Sequence, residues 1–97
     1  MKPVRLLAQA CQELRDAAEY YERQSAGLGS EFTRKVDSAV LDVRENPESW
    51  PLASSRVRRR LIRRFPYCLL YRVDATEVVI LAVMHLRRRP NYWIGRT

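Results

Sequence analysis

Two clusters of arginine in the second half of the sequence carry its clearest chemistry. The first contains Arg58, Arg59 and Arg60, and the second contains His85, Arg87, Arg88, Arg89, Tyr92 and Trp93. A guanidinium group forms forked hydrogen bonds to phosphates and carboxylates, and arginines beside aromatic rings are typical of surfaces that bind a nucleic-acid backbone and stack on its bases. We therefore predict that these nine residues bind a polyanionic target.

Each cluster also has an interpretation that involves no target. Charged residues on a strand discourage the edge-to-edge aggregation of sheets, which would explain the first cluster by itself. In the second cluster, Tyr92 and Trp93 can fold back to cover the sheet, and residues 87–97 would then be structural. The sequence leaves both interpretations open.

The formal net charge of +7 over 97 residues lies entirely in the second half of the chain. Residues 1–48 hold seven basic and nine acidic side chains, for −2, whereas residues 49–97 hold eleven and two, for +9. Sixteen of the 18 basic residues are arginine. Charge segregated in this way indicates a polyanionic partner, which is either nucleic acid or an acidic protein.

Other kinds of site find no support in the sequence. Its three glycines form no phosphate-binding loop, and no serine lies in a G-x-S-x-G turn. His85 is the single histidine and has no cysteine near it, so we expect no metal site and no cofactor. Glu13, Glu19 and Glu22 are spaced as the solvated face of a helix rather than as a catalytic acid–base pair.

The composition indicates one folded domain over residues 1–97, and we expect it in the cytoplasm. Apolar residues make up 46% of the chain and charged residues 30%, as in soluble globular domains. The apolar run Val78–Met84 is far shorter than the roughly 20 residues of a membrane span, and residues 1–8 hold no signal-peptide core. Cys11 and Cys68 are too few for a disulfide scaffold, so we predict two reduced, packed thiols.

The first half of the chain has the hydrophobic period of helices. Pro3 to Leu7 is short and apolar, as an edge strand is, and residues 8–24 repeat apolar side chains at three- and four-residue steps. Gly27 suits the left-handed turn that ends a helix. A second amphipathic helix follows at once and must stop at Asn46-Pro47. The two helices therefore form a hairpin whose apolar stripes need a surface to cover.

The second half of the chain supplies that surface as three strands. Residues 57–62 mix apolar and arginine positions, residues 67–73 alternate between two faces, and residues 77–86 are apolar on both faces, as in a central strand. The predicted fold class is α+β, in the order β-α-α-β-β-β. It consists of an N-terminal edge strand and a helical hairpin packed on one face of a small twisted antiparallel sheet.

Several motifs spread over nearly the whole chain resemble the RelE/ParE superfamily of bacterial toxins. In chain order they are A-x-x-E-L (Ala10–Leu14), A-x-Y-Y-E (Ala18–Glu22), G-L-G-x-x-F (Gly27–Phe32), N-P (Asn46–Pro47), F-P-Y-x-L-L-Y-R-V (Phe65–Val73) and A-V-x-H-x-R-R-x-P-x-Y-W (Ala82–Trp93). The resemblance implies the same helical hairpin on a curved sheet. It also implies that the chain is the toxin of a type II toxin–antitoxin module.

The family has two activities, and the resemblance favours the branch that poisons DNA gyrase, the ParE branch. The other branch cleaves messenger RNA on the ribosome with basic residues and a tyrosine. By position, Tyr92 matches that tyrosine, and Arg59 or Arg60 matches the strand lysines. The nuclease branch has an arginine where this chain has Cys68, and a thiol does not stabilise a pentacoordinate phosphate as a guanidinium does. We therefore expect little or no cleavage of messenger RNA.

Two alternatives remain from the sequence. The first is a ribosome-dependent messenger RNA endoribonuclease in which Arg60, His85, Arg87 and Tyr92 carry out the chemistry, with His85 as general base. The second is a small basic nucleic-acid-binding module that is not toxic. The expected partners of a toxin are a cognate acidic antitoxin and either gyrase or the ribosome, with no membrane and with oligomers formed only through the antitoxin complex.

Overall fold

Two helices and four strands follow one another in the predicted order in a computed structural model that describes residues 1–96. Thr97, the last residue of the predicted C-terminal segment, lies outside the described residues. The elements are β1 (Val4–Leu6), α1 (Ala8–Gln24), α2 (Leu28–Glu45), β2 (Arg58–Leu61), β3 (Tyr67–Val73), β4 (Val78–His85) and a 3-10 helix (Ile94–Arg96).

The four strands form one mixed sheet in the order β1-β4-β3-β2. β3 pairs antiparallel with both of its neighbours, and β1 lies at an edge, as predicted. β1 nevertheless runs parallel to β4, with Val4 opposite Val78 and Leu6 opposite Ile80, so the expectation of a purely antiparallel sheet is corrected at this edge. After β1, the chain passes through the two helices, β2 and β3. It then returns to the end of the sheet where β1 began, so β4 runs in the same direction as β1.

Two glycines let the helices of the hairpin approach each other closely. Gly27 adopts the left-handed conformation with φ of 88°, as the sequence predicts for the turn between the helices. Gly29 lies in the first turn of α2, where a Cβ atom would come within 2.4 Å of the Ala18 carbonyl oxygen of α1. α2 buries Phe32, Val36, Ala39 and Val43 against the sheet and α1, the face that their spacing predicts.

Both faces of the sheet are covered. On one face, the helices and residues such as Leu69, Tyr71 and Ile80 form the main core. On the other face, the buried cluster consists of Val57, Cys68, Leu70, Val79, Leu81, Ala82 and Trp93. β4 contains a bulge: Leu70 pairs with Ala82 and Tyr71 pairs with Ile80, so Leu81 is an extra residue without a partner on β3. Because of this bulge, the consecutive residues Leu81 and Ala82 both belong to the buried cluster on the second face. β4 is thus buried on both of its faces, as predicted.

Neither of the two helices in residues 1–96 has the long apolar stretch that a membrane-spanning helix needs. The same part of the chain holds no group of three or more His, Cys, Asp or Glu side chains placed to bind a metal ion. Cys11 is partly buried and Cys68 fully buried, and neither forms a disulfide within residues 1–96.

Candidate target-binding surface

The first arginine cluster is divided between the two faces of the sheet. Arg58 and Arg60 point toward the helix side, where the Arg58 guanidinium donates to the Trp50 carbonyl oxygen at 2.8 Å. The Arg60 guanidinium lies 4.5 Å from the centre of the Trp50 ring and pairs with the Asp42 carboxylate of α2 at 2.6 Å. Its side chain is only 13% exposed. Arg59 is exposed on the opposite face, so it is the member of this cluster that is open to a target.

Cys68 occupies a buried position on the same face as Arg59. It lies opposite Leu61 of β2, and Arg59 lies opposite Leu70, whereas Arg60 lies opposite Leu69 on the helix side. Burial raises the pKa of the Cys68 thiol to about 11, and the charge of Arg59 offsets only part of that shift. Cys68 therefore remains a neutral thiol near pH 7 and offers no charge to a phosphate.

The second cluster forms a tight turn directly after β4, which we call the arginine turn (residues 87–89). The Arg87 amide donates to His85 Nδ1 at 3.0 Å, and the Arg88 amide donates to the His85 carbonyl oxygen at 2.9 Å. Arg87 and Arg89 are exposed and form no ion pair within residues 1–96. Arg88 is exposed and without an ion pair in this part of the chain as well, with its guanidinium 4.0 Å from the centre of the Tyr92 ring, so the turn presents three unneutralised guanidinium groups at the end of the sheet.

His85 is fixed on the helix side of the same strand end. Its ring packs edge-to-face on the Tyr67 ring, with centroids 5.0 Å apart. Because Nδ1 accepts the Arg87 amide proton, Nε2 carries the proton in the neutral ring. His85 lines a cleft of about 300 Å³ together with Tyr20, Tyr67 and Arg88. The acidic residues Glu13 and Asp16 also line this cleft, so it is less basic than the turn beside it.

The two aromatic residues of the second cluster are packed into the protein. Trp93 is only 5% exposed and belongs to the buried cluster on the second face of the sheet. The Tyr92 hydroxyl donates to the Glu13 carboxylate at 2.6 Å, and its ring contacts that same cluster. Of the two interpretations left open, the structure favours aromatic residues that fold back to cover the sheet. In this conformation neither ring is free to stack on a base.

Tyr92 is also held in its protonated form. Burial, followed by its hydrogen bond to the Glu13 carboxylate, raises the pKa of the Tyr92 hydroxyl well above its ordinary value. The Arg96 and Arg88 guanidinium groups offset only part of that shift. A phenol held in this way makes a poor general base near pH 7.

Glu13 and Glu22 have structural roles that the prediction of a solvated helix face missed. The Glu13 carboxylate accepts from the Tyr92 hydroxyl, from the Arg96 guanidinium and from the Val83 amide, at distances of 2.6 to 3.0 Å. The Glu22 carboxylate accepts from the Gly27 and Gly29 amides at the start of α2, at 2.8 and 3.0 Å. Glu19 is exposed, as predicted. The A-x-x-E-L motif was the one sequence signal that set Glu13 apart.

The four residues of the alternative nuclease site are not brought together. Arg60 lies on β2 and His85 on β4, with β3 between them, so their backbones are separated by at least about 10 Å. Arg60 is held by Asp42 of α2, whereas Tyr92 is held by Glu13 of α1. Only His85 and Arg87 remain adjacent. Within residues 1–96, no hydrogen bond joins Arg60 or Tyr92 to His85 or Arg87.

Comparison with known proteins identifies the family. A family profile described as "ParE toxin of type II toxin-antitoxin system, parDE" matches residues 4–90. The fold is similar to that of a chain from the "Chromosomal ParDE TA system from P. aeruginosa", with a TM-score of 0.65 and 19% sequence identity. That similarity covers 88% of this chain and 96% of the other chain. No protein of curated function matches the sequence. Because the profile covers most of the chain, the protein belongs to the ParE toxin family of type II toxin–antitoxin systems.

Proposed function

We propose that this protein is the toxin of a type II toxin–antitoxin module and stops growth by poisoning DNA gyrase in the cytoplasm. Membership of the ParE toxin family supports the toxin role. The observation that carries the choice of gyrase over messenger RNA is that the candidate nuclease groups have structural partners. Arg60 is paired with Asp42, Tyr92 is bonded to Glu13, and Cys68 is a buried neutral thiol.

The surface best suited to a large acidic target lies at the end of the sheet. Arg87 and Arg89 of the arginine turn are exposed there without carboxylate partners among residues 1–96, and Arg59 is exposed on β2. These guanidinium groups can form forked hydrogen bonds to carboxylates or phosphates of a gyrase–DNA complex. Binding of this kind requires no hydrolytic group, in agreement with a poison that is not an enzyme.

We further propose that a cognate antitoxin neutralises the toxin by covering both apolar and basic surface. Tyr20 and Leu41 expose about half of their surface on the helices, and Leu61 and Leu86 do so at the ends of two strands. An acidic segment, disordered by itself, can lay apolar side chains on such positions while its carboxylates pair with the arginines. Salt should weaken this complex only in part, because apolar burial is not screened. Calorimetry that found binding abolished by moderate salt would contradict the apolar part of the interface.

Expression of the chain in a bacterial host, with and without its neighbouring antitoxin gene, tests the proposal in cells. We expect growth to stop without the antitoxin, together with damage to DNA that depends on gyrase. Messenger RNA mapped by primer extension from the same cells should carry no codon-specific cuts in translated regions. Such cuts would favour the endoribonuclease alternative, and normal growth of the strain without antitoxin would favour the non-toxic binding module.

A further inference from the structure

Glu13 of α1 is the point at which the C-terminal segment is attached to the rest of the fold. Its carboxylate receives four hydrogen bonds, one from the Val83 amide, one from the Tyr92 hydroxyl and two from the Arg96 guanidinium. The Glu13 and Arg96 side chains are only 15% and 14% exposed. We call the group formed by Glu13, Tyr92 and Arg96 the Glu13 clasp.

The Glu13 clasp also completes the edge of β4 where β1 ends. β1 and the residue after it pair with β4 only as far as Ile80, whose carbonyl oxygen accepts from the Leu7 amide. Beyond that point, Arg96 donates to the Leu81 carbonyl oxygen at 3.1 Å, and Glu13 accepts from the Val83 amide at 3.0 Å. The Leu81 carbonyl and the Val83 amide therefore form their hydrogen bonds with side chains of the clasp and not with a neighbouring strand.

A chain of contacts leads from the clasp to the arginine turn. The Tyr92 ring contacts two guanidinium groups, with Arg96 at 4.8 Å and Arg88 at 4.0 Å from its centre. The other end of the turn is fixed by the two hydrogen bonds from its amides to His85. Arg87 and Arg89 are therefore exposed on a segment that is held at both ends, on one side by His85 and on the other by Glu13 through Tyr92.

We propose that Glu13 is a positioning residue of the toxin, which fixes the direction in which the arginine turn presents its guanidinium groups to the target. This inference rests on the proposed function, because it assumes that the turn is part of the toxic surface. Glu13 itself need not touch the target. Its carboxylate is enclosed by donors from β4 and from the C-terminal segment, which makes it a support of the surface rather than a part of it.

The Glu13→Gln variant tests this role. A glutamine can still accept from the Val83 amide but loses the charge that pairs with Arg96, so the fold should persist while the C-terminal segment loosens. Glu19→Gln is the matched control, because Glu19 lies on the same helix and its side chain is 70% exposed. At equal levels of soluble protein, we expect Glu13→Gln to need about tenfold more toxin for the same growth inhibition, which corresponds to a loss of about 1.4 kcal/mol in binding to the target.

Two further readouts separate positioning from general stability. Amide hydrogen exchange of residues 87–96 should become faster in Glu13→Gln, while exchange in β3 stays close to that of the wild type and of Glu19→Gln and the melt remains a single cooperative transition. Combining Glu13→Gln with Arg96→Met should weaken toxicity no more than either change alone, because both break one shared contact. If residues 87–96 loosen and toxicity stays at the wild-type level, the positioning role is wrong.

Alternative variants keep the inference testable if Glu13→Gln does not fold. Arg96→Lys keeps the charge but only part of the paired hydrogen bonding, and Tyr92→Phe removes the hydroxyl alone. Both should loosen the segment and reduce growth inhibition, and unchanged inhibition in both would contradict the proposal. The gyrase proposal fails separately, if wild-type protein stops growth without acting on gyrase. A wild-type chain that does not stop growth would overturn both proposals.

Discussion

Leu61 lies directly opposite Cys68 across the antiparallel pairing of β2 with β3, so Arg60 projects from the other face of the sheet. The two positions that sequence comparison suggested for phosphate chemistry, Arg60 and Cys68, therefore face opposite sides of one layer. Arg60 is already paired with Asp42 and stacked on Trp50. The geometry of this strand pair therefore supports the proposal of a gyrase-directed toxin, in addition to the structural partners of Arg60 and Tyr92.

We expect the Cys68 thiol to be unreactive in the folded protein. It is fully buried, and burial raises its pKa to about 11, so almost no thiolate forms at pH 8. In the Cys11→Ser variant, a thiol reagent at pH 8 should label Cys68 only at the rate of unfolding, and fully in denaturant. Rapid labelling of the native variant would show that this face of the sheet opens.

Removing two exposed charges from the arginine turn should abolish toxicity and leave the fold intact. Arg87→Ala with Arg89→Ala should change the free energy of unfolding by no more than about 0.5 kcal/mol, because both side chains are exposed. The control is Arg34→Ala with Arg44→Ala, which makes the same change of charge at exposed positions of α2. Growth inhibition should be lost only in the first pair. Equal loss in both pairs would mean that net charge, and not the turn, determines toxicity.

Replacing Trp93 should unfold part of the second core. The side chain is 5% exposed among the buried residues of the second face, so Trp93→Ala should lower the free energy of unfolding by about 3 kcal/mol. Its neighbour Ile94 is exposed, and Ile94→Ala should have almost no effect. Chemical denaturation of the two variants compares them directly. Equal stability of both would mean that the C-terminal segment does not pack as described.

The helices and strands were predictable because the evidence for them is local. The three- and four-residue steps of residues 8–24, the positive φ suited to Gly27 and the stop at Pro47 are each visible within one segment. The parallel pairing of β1 with β4 was not predictable in this way, since Val4 and its partner Val78 belong to segments on either side of the whole hairpin. A sequence pattern predicts that a strand exists and leaves its neighbours undetermined.

The candidate site was predicted less well than the fold, for the same reason. On α1, Glu13 has the spacing of a solvent-facing carboxylate, and its partners Val83, Tyr92 and Arg96 lie 70, 79 and 83 residues away. Arg60 likewise resembles an exposed strand arginine until Trp50 and Asp42 are brought against it. Composition identified the arginine-rich surface, but only tertiary contacts distinguish free guanidinium groups from paired ones.

The Tyr92 hydroxyl should stabilise the fold at neutral pH and contribute less as the solution becomes strongly alkaline. Its folded-state pKa lies above the ordinary value of about 10, so its contribution is complete below pH 10 and is lost as the pH rises beyond it. Tyr92→Phe removes a hydrogen bond to a carboxylate and should lower the free energy of unfolding by about 1.5 kcal/mol at pH 8. The difference from the wild type, followed by denaturation between pH 8 and 11, should shrink above pH 10. A constant difference would contradict the buried bond to Glu13.

The most direct test of the gyrase proposal mixes the purified protein with purified DNA gyrase, supercoiled plasmid and ATP, and measures the double-strand breaks that denaturant traps. We predict that broken plasmid accumulates with the wild-type toxin and not with the Arg87→Ala, Arg89→Ala variant. Programmed ribosomes given the same toxin should yield no cuts in messenger RNA. Intact plasmid, together with codon-specific cuts that disappear with Tyr92→Phe or Arg60→Ala, would contradict the account and identify a ribosome-dependent endoribonuclease.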